Sequence, residues 1–172
     1  MNIFVDTSVL YKDPFWKRNF STELLETVTN REIGLFVSEI VLKELEHNYK
    51  KILNTELSQI QNIQEKLTQY QIKTDSELPK IDITKSIKGL QYFYQKLEYD
   101  GTLTVLKNSD NLMAELVDRA IERKKPFTEN KTELKDALIW FAYYKHAESN
   151  NLKDCVFLTN NITDFCDIEK KN

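Results

Sequence analysis

The chain has 172 residues, of which 41% are hydrophobic and 30% charged, the balance of one folded domain that can bury a core. Lys and Arg number 24 against 27 Asp and Glu, a formal net charge of −3; this excludes a generally basic nucleic-acid coat but not a local site. With only Gly34, Gly89 and Gly101 present, neither GxGxxG nor GxxxxGK(S/T) can be written, so the Gly-rich phosphate loops are excluded.

Cys155 and Cys166 make neither a disulfide framework nor a zinc spacing, so a reducing, cytoplasmic setting is expected. Asp6 comes too early for a secretory signal, and no stretch is apolar enough to span a membrane.

Ile3 to Val5 reads as a buried parallel strand stopping at Asp6-Thr7-Ser8. A helix is expected over Phe20 to Asn30, with Ser21 or Thr22 as N-cap, then a strand over Ile33 to Val37. Ser38 caps a long helix running from Glu39 towards Tyr70, with Val41, Leu45, Ile52, Ile60, Ile63 and Leu67 at helical spacing. Its outer half is polar, and Leu78-Pro79 breaks it. Thr84 to Tyr99 reads as a helix, Thr102 to Leu106 as a short strand, and Asn108 to Lys124 as an amphipathic helix ended by Lys125-Pro126. Thr132 caps a helix from Glu133 to about Ser149, and Asp154 to Thr159 is the last strand. Apolar strands separated by helices indicate an α/β fold with a parallel sheet, whose sites lie beyond the carboxyl ends of the strands.

Four acids draw attention. Asp6 ends a strand, where it either caps the next turn or needs a buried partner such as a metal. Glu44 shares a helix face with Ile40 and Val41, either as a rim residue or held there for a purpose. Asp136 lies in the first turn of its helix, where an acid complements the dipole, yet Ala137, Leu138, Trp140 and Phe141 tuck that turn against the core. Asp164 follows Thr159-Asn160-Asn161-Ile162-Thr163 in a polar turn after a strand. Hard oxygen donors in a cluster suit Mg2+ or Mn2+ rather than zinc or copper.

Four motifs, Ile3-Phe4-Val5-Asp6-Thr7-Ser8, Val37 to Leu45 around Glu44, Lys135-Asp136-Ala137-Leu138-Ile139 and Phe157 to Phe165 around Asp164, occur in the order in which they stand in the PIN-domain nucleases, which the sequence resembles. The resemblance implies a three-layer α/β/α sandwich with a central parallel sheet. It implies a catalytic and metal-binding quartet of Asp6, Glu44, Asp136 and Asp164, supported by Thr7, Ser8, Thr159 and Asn161. It further implies Mg2+- or Mn2+-dependent cleavage of RNA, with an antitoxin, a partner domain or a second copy of the chain as protein partner. The region from about Asn48 to Asp100 exceeds the compact pattern and reads as a helical insertion within a single domain over residues 1–172. The chain ends soon after the fourth motif, so a final strand usual in the family is either missing or belongs to a longer protein.

Other features favour plainer readings. His47 and His146 read as ordinary helix residues, Asp118 with Arg119 as an exposed ion pair, and Tyr92 to Tyr94 as packing. Lys12, Arg18, Arg123, Lys124 and Lys125 are candidate contacts to RNA phosphates. Two readings from other classes stay open: a non-catalytic PIN-like module that binds RNA or protein, and a haloacid-dehalogenase-type phosphotransferase, against which Ser8 stands where a second Asp would be needed.

Overall fold

The computed structural model describes residues 1–31, 33–72, 80–107, 113–124, 127 and 134–165. The described residues form strands β1 (Asn2–Val5), β2 (Gly34–Ser38), β3 (Thr104–Leu106) and β4 (Cys155–Leu158). Between and after them lie helices α1 (Thr7–Leu10), α2 (Asn19–Arg31), α3 (Glu39–Gln69), α4 (Ile83–Tyr99), α5 (Met113–Ile121), α6 (Leu134–Ser149) and α7 (Ile162–Phe165). The strands make one parallel sheet in the order β3-β2-β1-β4, flanked by helices as a three-layer α/β/α fold, with Val5 opposite both Val37 and Leu158.

The central strands are apolar because helices cover both faces of such a sheet. Ile3, Phe4, Val5, Leu35, Phe36 and Val37 are all buried. Gly34 begins β2 where a Cβ would lie 2.6 Å from Asn2 Oδ1 and 2.6 Å from the Phe36 ring. The Ser38 hydroxyl accepts from the Ile40 N–H and caps α3 as expected. Val41 and Leu45 then face the core. Further along α3, Ile63 and Tyr70 are exposed: the apolar spacing there describes a helix but does not bring burial. Helix α4 packs on the inner half of α3, where Leu90 and Tyr94 are buried and Gln91 Nε2 donates to Glu46 Oε2 at 2.8 Å. Its end is a Schellman turn. Gly101 takes φ +74, while the N–H groups of Gly101 and Thr102 return to the carbonyls of Glu98 and Leu97. That turn leads the chain into β3.

Helix α6 is apolar on more than one face and serves two clusters. Ile139 and Tyr143 join the main core, while Ala137 and Phe141 pack with Leu116 and Phe127. The Tyr143 hydroxyl donates to the Val5 carbonyl at 2.6 Å and accepts from the Ser38 N–H at 2.9 Å. It thereby ties the last residues of β1 and β2. Burial pushes the Tyr143 pKa up, so the hydroxyl stays protonated.

Several expectations are corrected. Ser21 and Thr22 lie inside α2 rather than at its cap; the Asp13 carboxylate accepts from the Lys17 and Arg18 N–H groups just ahead of the helix. Arg119 forms no ion pair with Asp118. Its guanidinium lies 5.1 Å from the Trp140 ring centroid and 5.2 Å from that of Phe141, because a delocalised cation gains more over two rings than beside a hydrated carboxylate. His146 lies in α6 as expected, and its ring packs 4.9 Å from that of Phe36. The turn after β4 closes as the short helix α7. Thr132, Glu133, Leu78-Pro79 and residues 108–112 lie outside the described residues. Among the described residues no helix is long and apolar enough to cross a membrane.

Tyr143→Phe keeps the ring and orphans two buried backbone groups, so urea denaturation should show a loss of about 2–4 kcal/mol. Tyr144→Phe, at an exposed site, should stay within about 0.5 kcal/mol; equal effects would contradict the strand-end tie. Burial lowers the His146 pKa. The neutral ring is favoured in the fold, so its contribution is present above the unfolded pKa and is lost as pH falls through the folded one. Between pH 7 and 5, His146→Phe should therefore lose less stability than the parent; parallel profiles would exclude this assignment.

Candidate active site

The carboxyl ends of β1, β2 and β4 lead directly into the elements that carry the candidate residues. Asp6 follows β1 and caps α1, Glu44 lies in the second turn of α3, and Thr159 follows β4. Asp136 stands in the first turn of α6. Asp6, Thr7, Ser8, Glu44, Asp136 and Asn161 border one cleft of about 340 Å³, together with Tyr11 and Asn48.

Asp6 is 5% exposed, and a carboxylate this buried requires donors. The Ser8 hydroxyl at 2.6 Å, the Thr159 hydroxyl at 2.9 Å and the Ser8 N–H at 3.4 Å all donate to its Oδ2. Each hydroxyl in turn accepts a backbone N–H, from Asn160 to Ser8 Oγ at 2.8 Å and from Asn161 to Thr159 Oγ1 at 2.9 Å. The Asn160 side chain also donates to the Ser8 carbonyl at 2.8 Å. Among the described residues nothing hydrogen-bonds to Asp6 Oδ1.

Glu44 is held differently. The buried Thr7 hydroxyl donates to Oε2 at 2.9 Å, and the Lys135 ammonium donates to Oε1. The two best-defined acids of the cleft are thus oriented by adjacent residues of one turn, since Thr7 serves Glu44 while Ser8 serves Asp6.

The structure brings together Asp6, Glu44 and Asp136, with Thr7, Ser8, Thr159 and Asn161 around them. The backbone of Asp164 lies in α7; its side chain, like Lys125, is outside what is described. Lys12, Arg18, Arg123 and Lys124 are exposed and are not among the cleft-lining residues; Lys124 pairs with Glu122. Sequence reasoning missed Tyr11, Asn48 and the roles of Lys135 and Asn160. Asn48 had a usable signal, one helical turn beyond Glu44.

Among the described residues no three His, Cys, Asp or Glu side chains are grouped closely enough to hold a metal ion. The donor chemistry still fits a hard divalent cation. The acids of the cleft offer only carboxylate oxygens, Asp6 keeps one oxygen without a hydrogen bond, and Glu44 already draws a cationic group.

The family model for the PIN domain matches residues 3–165. No curated protein and no solved structure matches the chain.

Thr159→Val keeps the shape and removes one donor to a buried carboxylate. It should cost about 1–3 kcal/mol in urea denaturation, and Thr159→Ser should recover most of that; equal stability of the Val variant and the parent would contradict the hydroxyl's role.

Proposed function

The chain belongs to the PIN-domain family, and from that premise we propose that it is a ribonuclease dependent on Mg2+ or Mn2+. The carrying observation is that Asp6, Glu44 and Asp136, from three separate stretches of sequence, border one cleft beyond the ends of parallel strands. Its family has a nuclease-type fold, and carboxylates lining one cleft offer the hard oxygen donors that a divalent cation takes.

In this reading Asp6, Glu44 and Asp136, joined by Asp164, hold the ion. When bound, the ion lowers the pKa of a coordinated water and stabilises the charge that develops on the phosphodiester. The chain's own residues prepare the donors. Ser8 and Thr159 fix Oδ2 of Asp6 and leave Oδ1 without a hydrogen bond among the described residues, and Thr7 fixes Oε2 of Glu44. Asn161, Asn48 and Tyr11 supply polar walls for the sugar-phosphate chain. Lys12, Arg18, Arg123, Lys124 and Lys125 meet phosphates farther along the RNA. The paired helices α3 and α4 act as an insertion within the domain, and their exposed outer part receives an antitoxin, a partner domain or a second copy of the chain.

The non-catalytic alternative draws on one observation, the engagement of Glu44 by Lys135. Asp6→Asn separates the two readings, because Asn keeps an acceptor for Ser8 and Thr159 while removing the charge. Cleavage of RNA in Mn2+ should fall by at least about 100-fold, a barrier increase of about 2.7 kcal/mol. A variant that cuts at the parent rate would overturn the metal-dependent reading.

A further inference from the structure

We infer that Lys135 is the resident counter-cation of the cleft, holding Glu44 in place until a divalent ion takes over that carboxylate. The inference rests on the metal-dependent reading and adds a residue which that reading does not use.

The position of Lys135 is electrostatically unfavourable for its own helix. It lies in the first turn of α6, at the positive end of the helix dipole, where a cation is disfavoured. Its ammonium reaches across to Glu44 Oε1, 91 residues away in sequence. Glu44 shares its cleft with Asp6 and Asp136, so without a cation it would face like charge in a half-buried setting. A neutral donor, Thr7, holds the other oxygen. The carboxylate can therefore lose Lys135 and keep its orientation.

The pair is also built to exchange. The Lys135 side chain is 60% exposed and that of Glu44 22%. An ion pair so open to water is weak and screened. A flexible lysine stem can swing aside without repacking, and a divalent ion with several carboxylate donors binds with more charge than one ammonium can offer. Asp6 has the opposite design: neutral hydroxyls and a backbone N–H hold it, and among the described residues no ammonium pairs with it. Glu44 is accordingly the donor whose availability depends on displacing another cation.

Calorimetric titration of Mn2+ into the full chain, its Lys135→Met variant and its Lys135→Arg variant tests this. Removing the competing charge should tighten Mn2+ binding by about three- to tenfold, with the Arg variant within about twofold of the parent. A purely structural role for Lys135 would loosen binding or leave it unchanged, and either result for Lys135→Met overturns the inference. If the folded parent takes up no Mn2+ at millimolar metal, the metal-dependent reading itself falls, and the inference falls with it; that outcome is recognised in the parent alone.

Discussion

The hydroxyl of Tyr143 joins the two strand ends from which the cleft is built. It donates to the carbonyl of Val5 and accepts from the N–H of Ser38, so β1 and β2 stop at a fixed separation. The residue after Val5 is Asp6, and the residue after Ser38 begins the helix that carries Glu44. A displacement of either strand end would move one acid relative to the other. The Tyr143 ring packs against Phe4 and Phe157, which keeps the hydroxyl in a dry site where both bonds count fully. Here the core directly sets the geometry of the site: a helix flanking the sheet reaches the backbone that aims the acids.

Around that fixed frame the acids are held by contrasting means. Asp6 is buried and gathers donors from its own turn and from the segment after β4, so three hydrogen bonds from two pieces of chain converge on one oxygen. Glu44 lies nearer to water and shares its oxygens between a hydroxyl and an ammonium. Burial demands rigid neutral donors, since a lone buried charge is costly; partial exposure tolerates a mobile cation. Asp6, which keeps one oxygen without a hydrogen bond among the described residues, and Glu44 thereby border the same cleft.

Much of this was legible in the sequence because it is local. The apolar runs Ile3–Val5 and Ile33–Val37, the Ser38 cap and the acids at element ends all follow from neighbours a few residues apart. The resemblance to PIN nucleases, carried by four short motifs in order, pointed to the sheet and the acids together. What escaped depends on distant partners. Nothing near Lys135 in sequence announces Glu44, and nothing near Tyr143 announces two strand ends. α2 starts at Asn19, ahead of the Ser21 or Thr22 cap that the sequence suggests, with the Asp13 carboxylate accepting from the Lys17 and Arg18 N–H groups just before it. The neighbouring Asp118 suggests an ion pair for Arg119, whereas its guanidinium lies over the rings of Trp140 and Phe141. In the outer half of α3 the apolar spacing was genuine, yet Ile63 remains exposed, since periodicity establishes a helix and only a facing surface establishes burial.

The central claim is that the cleft bordered by Asp6, Glu44 and Asp136 is a divalent-cation site. The most direct measurement is anomalous scattering from a crystal of the protein soaked in Mn2+. The account predicts an anomalous peak within the cleft, at oxygen-coordination distance from Asp6 and Glu44, with the Lys135 ammonium moved off Glu44. A crystal in which millimolar Mn2+ leaves that cleft without a peak, and Lys135 still on Glu44, would contradict it.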